Sequence, residues 1–193
     1  MKALIRSLTA LAPAAAVLLL LCNMAFAHCD TMDGPVVKAA KQALRTRNIN
    51  YSLIWVQQKD ELELRQAFRQ TLLVRQLSPA ARALADRYFF ETLVRIHRAG
   101  EGQPYTGLRP AGTDLGPVIP VADKALDSGE VEPLLKLFPD TARTEIASRF
   151  QQTKAKKEFN RNDVEGGRIY VAAYTSFLEY VEQLYEGKSS NVS

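Results

Sequence analysis

The chain repeats itself. Gly34-Pro35-Val36-Val37 returns as Gly116-Pro117-Val118-Ile119, and the correspondence runs on without a gap at a spacing of 82 residues. Ala40, Ala43 and Leu44 return as Ala122, Ala125 and Leu126. Leu53 returns as Leu135, Phe68 as Phe150, and Gln70-Thr71 as Gln152-Thr153. Over 34–71 against 116–153, 11 of 38 positions are identical. Register kept over that length points to a duplicated helical unit, so the two halves are expected to fold alike.

Each copy opens on Gly-Pro, and proline fits the first turn of a helix, where its missing N–H has no partner to lose. Val36, Ala39, Ala40, Ala43 and Leu44 recur at helical spacing until about Thr46. Ser128-Gly129 supplies a helix stop in the second copy. Tyr51–Val56 is β-prone taken alone, but its counterpart 133–138 reads as a short helix, so both are expected to be short helices. Asp60–Gln76 and Asp140–Glu158 form the next pair. Ser78-Pro79 then starts a long helix to about Arg98, with Leu84, Tyr88, Phe89, Leu93 and Ile96 as its apolar stripe and Arg87, Glu91, Arg95 and Arg98 as its polar one. Its partner runs from Asp163 to about Tyr185. Gly166-Gly167 near its start suits the close approach of another backbone, such as the N-terminal segment. At the same spacing of 82, His97 aligns with Glu179. The expectation is an all-α single domain over 34–187, with repeat one at 34–99, a linker at 100–115 and repeat two at 116–187. A disordered tail is expected over 188–193.

The first 27 residues have the three parts of a secretory leader: Lys2 and Arg6, an apolar run from Leu8 to Met24, and Ala25-Phe26-Ala27 as the cut. Cys22 offers a lipoprotein site instead, but Leu21 stands where such a site wants a small residue. Cleavage after Ala27 leaves 166 residues, no stable membrane span, and 23 basic against 21 acidic residues. An exported protein, periplasmic or extracellular, is expected. A near-neutral balance gives no reason to expect a nucleic-acid partner, and Lys154, Lys156, Lys157 and Arg161 read as a solvated helix face. A homo-oligomer is compatible with the sequence.

Cleavage there would make His28 the first residue, followed by Cys29 and Asp30. A terminal amine and the imidazole of one histidine can chelate a metal, and the next residue adds a thiolate. Such nitrogen and sulfur donors suit copper, nickel or zinc. Asp30 and Asp33 can add oxygen or orient the imidazole. If the two long helices pack about a pseudo-twofold, His97 and Glu179 would face the same place. The metal set is therefore read as His28, Cys29, Asp30, Asp33, His97 and Glu179. A frayed polar terminus is the alternative. Cys29, the only cysteine left after cleavage, can be a ligand, a free thiol or half of an intermolecular bridge.

The stretch His28-Cys29-Asp30-Thr31-Met32-Asp33-Gly34 resembles the N-terminal hook of nickel superoxide dismutase, which implies a terminal metal on an exported helical bundle. His28, Cys29, Asp30 and Gly34 match. Asp33 stands at the second cysteine, Met32 at the proline before it, and Val36 at the hook's tyrosine. The mature chain as a whole is similar to an uncharacterised family of small exported bacterial proteins. These begin His-Cys-Asp-Thr and contain a stretch like Tyr88-Phe89-Phe90-Glu91-Thr92-Leu93-Val94-Arg95-Ile96-His97-Arg98-Ala99-Gly100-Glu101-Gly102. That family implies no activity.

No catalytic residue is assigned. Two histidines make no readable Ser-His-Asp set. Glu91 and Glu101 are acid–base candidates, with Glu91 better placed to pair with Arg87 or Arg95. Gly100-x-Gly102 lacks the flanking strand and the spacing of a dinucleotide motif. Trp55 reads as core or as a stacking surface for a ligand. The functional expectation is an exported metal-binding protein with a redox role. The alternative is a non-enzymatic helical interaction or ligand-binding module.

Overall fold

The computed structural model describes residues 28–190, so residues 1–27, where a secretory leader is expected, and the last three residues lie outside it. Among the described residues eight α-helices follow one another, with a 3-10 turn at Gln58–Asp60 between the second and third: α1 Pro35–Thr46, α2 Asn50–Leu53, α3 Glu61–Val74, α4 Pro79–Gly100, α5 Val118–Ser128, α6 Glu132–Leu135, α7 Asp140–Lys156 and α8 Val164–Ser190. Among the described residues there is no strand, only an isolated parallel bridge between Thr31 and Arg109. The fold is all-α. No described helix is long and apolar enough to cross a membrane.

The boundaries follow local chemistry. Pro35 and Pro79 sit in the first turns of α1 and α4. Ser78 caps α4 by accepting from the N–H of Ala81 at 3.0 Å. Asp163 caps α8, its Oδ1 accepting from the N–H of Gly166 at 2.9 Å. Gly129, at φ 81°, ends α5 in the left-handed region as a helix stop does.

α1 packs on α4 and α2, and α3 lies along α4; α5, α6, α7 and α8 pair in the same way. Matching contacts can be named. Arg75 Nη1 donates to the Leu44 carbonyl at 3.2 Å, and Lys157 Nζ donates to the Leu126 carbonyl at 2.8 Å. Each cation satisfies an orphan carbonyl at a helix C-terminus. Lys157 and Lys154, which reaches the Gly129 carbonyl at 3.3 Å, are thus anchored rather than merely solvated.

The long helices correct the register expected from the sequence. Thr71 Oγ1 meets the Ala85 carbonyl and Thr153 Oγ1 the Ala173 carbonyl, both at 3.4 Å. Phe68 packs at a tilt against Phe89, and Phe150 likewise against Phe177. Ala173 and Phe177 stand 88 residues after Ala85 and Phe89, not 82. Six extra residues enter between Thr153 and Ala173, so His97 corresponds to Tyr185 and not to Glu179.

Other expectations also shift. Leu84 and Tyr88 are exposed, at 73% and 47%, so the buried stripe of α4 is Ala85, Phe89, Phe90, Leu93, Val94 and Ile96. Arg98 is buried instead of joining the polar stripe. α8 runs on through Lys188 to Ser190, and the rest of the tail expected to be disordered lies outside the described residues. Gly167 is needed, though not by the N-terminal segment: a Cβ there would lie 2.2 Å from Cγ2 of Ile54.

Candidate functional site

The N-terminal turn is folded against the body of the protein by its backbone. The Thr31 hydroxyl donates to the His28 carbonyl at 3.1 Å, and the Gly34 N–H donates to the Thr31 carbonyl at 2.9 Å. A Cβ on Gly34 would come within 2.0 Å of the His28 carbonyl oxygen, so only glycine lets the chain close this turn. The 101–117 loop then holds the turn from outside. The Arg109 N–H donates to the Asp30 carbonyl at 2.9 Å, and the Met32 N–H donates to the Arg109 carbonyl at 3.0 Å. Lys41 of α1 adds a bond to the Met32 carbonyl at 2.6 Å. The loop expected to link the halves therefore lines the turn.

Three consecutive side chains point inward and are more than nine-tenths buried: His28, Cys29 and Asp30. His28 Nε2 lies 3.5 Å from Oδ2 of Asp123 on α5. Neither of its ring nitrogens makes a hydrogen bond among the described residues. The other oxygen of Asp123 accepts from the Tyr174 hydroxyl of α8 at 2.8 Å. Burial pushes the Asp123 carboxyl up, but the contacts with His28 and Tyr174 outweigh it and hold it below its ordinary value.

On the other side stands the C-terminal end of α4. His97 is 4% exposed, its Nδ1 lies 2.9 Å from the Trp55 carbonyl, and its Nε2 lies 3.3 Å from Glu101. A carbonyl can only accept, so Nδ1 carries the proton and Nε2 the lone pair. Burial lowers the imidazole's pKa to about 4. Arg98 bridges Asp30 at 3.3 Å and Glu101 at 3.5 Å. Burial raises Asp30 to about 6 in spite of Arg98 and Arg109, and it raises Glu101 as well.

Cys29 lies between the two groups. Burial pushes its thiol well up, and the charges of Glu101, Asp30 and Asp123 add to the effect. It is a free, buried cysteine. The thiolate is the form that either attacks or ligates, so burial holds Cys29 in its unreactive form for both roles. Outside the turn, a cleft of about 350 Å³ lined by His28, Thr31, Lys38, Thr113, Asp123 and Lys124 reaches the His28–Asp123 pair.

The expected donors divide. His28, Cys29, Asp30 and His97 share the buried cluster. Glu179 is half-buried, and its carboxyl is raised by burial and then by the charge of Glu101. Asp33 points away: it is exposed and accepts from the Gly112 N–H at 3.0 Å, a bond that lowers its pKa. The position of the dismutase hook's second thiolate thus faces the loop. Among the described residues no three His, Cys, Asp or Glu side chains stand close enough to hold a metal ion as placed. Sequence reading missed Asp123 and Tyr174 as members of this site and took Glu101 as an acid–base candidate rather than as a neighbour of His97. Only Glu101 left a signal, the i, i+4 spacing from His97 on one helix face.

A model for a family of unknown function, DUF6448, matches residues 33–180. The chain belongs to that family. The match takes in His97, Glu101, Asp123, Tyr174 and Glu179, and it begins after His28–Met32. No curated protein and no solved structure matches the chain.

Proposed function

We propose that this member of DUF6448 is an exported protein that binds one transition-metal ion, copper, nickel or zinc, at its N-terminal turn, with a redox role where that ion is copper or nickel. The observation that carries the reading is the setting of His97. Its Nδ1–H is spent on the Trp55 carbonyl, and its buried Nε2 makes no hydrogen bond. Metal-binding histidines are oriented in this way, with one nitrogen donating to a carbonyl and the other presenting its lone pair. Cys29 supplies the thiolate, and His28 supplies its imidazole and, after cleavage at Ala27, its amine. Asp123 orients His28, and Glu101 completes the set beside His97. Bringing these donors onto one ion requires the turn to move, since no three of them are close enough as they stand.

The experiment uses the natively exported chain. Intact mass is expected to show His28 as the first residue, and elemental analysis one transition ion per chain. Cys29→Ala, or one residue added before His28, is expected to remove the ion. Metal-free material that starts at His28 would overturn the reading.

A second reading, the interaction module, is favoured by one observation. Leu73, Leu77 and Leu84 at the α3–α4 hairpin are 71–77% exposed. Retention of function after deleting residues 28–33, with loss on Leu77→Asp, would select it.

A further inference from the structure

The tip of the α3–α4 hairpin carries apolar side chains that the frame does not require. Leu73 and Val74 end α3, Leu77 stands in the turn, and Leu84 lies in the second turn of α4. All four are exposed, Leu77 the most at 77%. They share one face. The Tyr88 hydroxyl donates to Gln70 across the hairpin at 3.4 Å. One turn on from Gln70 come Leu73 and Val74, and one turn back from Tyr88 comes Leu84, so the antiparallel helices bring them together. The second half shows that packing does not call for these residues. Leu73 and Val74 correspond there to Ala155 and Lys156, and Leu84, in the corrected register, to Ala172. That half packs Phe150 against Phe177 as the first packs Phe68 against Phe89, and it does so without them.

Positive charge gathers at the same place. Between Glu63 and Asp86 the sequence holds four arginines and no acidic residue, in a chain whose charges nearly balance elsewhere. Arg65 is tied to Glu61 and Arg75 to Asp86. Arg69 and Arg82 are exposed and meet no carboxylate among the described residues. Arg69 stands one turn before Leu73, and Arg82 reaches back to the Arg75 carbonyl at 3.4 Å. Leucines flanked by arginines on a protruding turn fit the boundary of a bilayer. There the apolar side chains enter the acyl layer, and the guanidinium groups hold phosphates. A second copy on the same face would set arginine against arginine.

We propose that this hairpin tip docks the protein on an anionic bilayer surface. The inference rests on the module reading, whose partner it names, and not on the metal reading. Leu84 and His97 lie on one helix, separated by about 20 Å along its axis. Docking by the tip therefore leaves the N-terminal turn clear of the lipid.

The probe is a pair of vesicle preparations, one of phosphatidylcholine alone and one of phosphatidylcholine and phosphatidylglycerol in equal parts. The natively exported chain is expected to sediment with the anionic vesicles, less so as salt rises, and to bind the neutral ones far more weakly. Leu77→Asp and Leu84→Asp should each weaken partition about tenfold. Arg82→Gln should weaken it about fivefold on the anionic vesicles and leave it unchanged on the neutral ones. These side chains are exposed, so the unfolding midpoint should hold in every variant. Leu77→Trp keeps the tip apolar. Its fluorescence should move to the blue when anionic vesicles are added, over a constant signal from the buried Trp55. Partition that survives both leucine variants, or a Leu77→Trp emission that vesicles do not move, would overturn the docking. So would a chain that leaves vesicles unbound and forms a dimer that Leu77→Asp splits, since the face then belongs to a second copy. Function lost on Leu77→Asp without vesicle binding would also overturn it, and would leave the module reading standing with a protein as partner. Elemental analysis should find the same metal content in every variant.

Discussion

The middles of the two halves are alike and their ends are not. In the first half Phe68 packs on Phe89 and Thr71 bonds the Ala85 carbonyl; in the second Phe150 packs on Phe177 and Thr153 bonds the Ala173 carbonyl. At the end of α4, Trp55 meets an imidazole, His97, edge-to-face. At the corresponding end of α8, Phe138, one residue past the counterpart of Trp55, meets a phenol, Tyr185, at the same interplanar angle of 82°. The frame is the same, and the chemistry differs by the residue placed in it. The turn at 28–34 also precedes only the first half, so only one end faces a buried thiol. Apolar packing builds the frame, and a few side chains at one end make it a site.

The largest effect should come from the frame. Phe150 and Phe89 are fully buried. Replacing either by alanine is expected to cost about 3–5 kcal/mol of stability by denaturant unfolding. The metal content of the folded fraction should not change. If Phe150→Ala, far from the turn, removed the ion from folded molecules, frame and site would not be separable.

The next effect sharpens the contrast between His97 and Tyr185. The folded His97 has a pKa of about 4 against an ordinary 6.5, because burial disfavours its charged form. Below pH 6.5 the unfolded chain takes up a proton that the folded chain refuses. Stability from His97 is therefore whole above pH 6.5 and lost as pH falls toward 4, by about 3 kcal/mol. Asp30 runs the other way. The folded carboxyl keeps its proton up to about pH 6 and the unfolded one only to 3.8, so its contribution grows as pH falls across that window. Urea unfolding of His97→Gln should show a weaker acid-side loss than the unmodified chain, and Asp30→Asn a stronger one. Three parallel curves would mean that these groups do not titrate with folding.

Smaller is the cost of adding one methyl group at a close approach in each half. Gly34→Ala pushes a Cβ onto the His28 carbonyl, and Gly167→Ala pushes one onto Ile54. Each should cost about 1–3 kcal/mol. Only Gly34→Ala should also weaken metal uptake, because only it displaces the turn. Equal loss of uptake in both would remove the distinction between the ends.

Much of the frame was legible because it rests on local signals. Pro35 and Ser78-Pro79 mark helix starts, Gly129 marks a stop, and the alanine–leucine spacing of α1 and α5 marks their buried faces. The ungapped repeat placed α2 and α6 as helices where Tyr51–Val56 alone read as a strand. It failed after Thr153, where six inserted residues changed the register without disturbing the helical period of α8. The site was half legible. His28, Cys29 and His97 are rare donors and stand out by type. Asp123 looked like any charge on a helix, and Arg98 fitted a polar stripe so well that its burial left no trace in the pattern. Arg98 is buried and Asp123 half-buried against the turn, which is tertiary placement that periodicity does not encode. Leu84 misled in the other direction, since it keeps helical spacing with the core yet faces solvent.

The smallest effect tests whether the long helices begin alike. Ser78 caps α4 through a hydroxyl, and Asp163 caps α8 through a carboxylate. Ser78→Ala and Asp163→Ala should each cost about 1 kcal/mol. They should differ in salt dependence. The carboxylate adds attraction to the positive end of the helix dipole, which salt screens, whereas the hydroxyl carries no charge. Unfolding at low and high ionic strength should leave the Ser78→Ala cost fixed and shrink the Asp163→Ala cost. Asp163 also stands next to the inserted residues that shift α8, so its cap fixes where the shifted helix begins. A cost for Asp163→Ala well above that for Ser78→Ala at high salt would mean that the cap holds the register of α8 as well as its first turn.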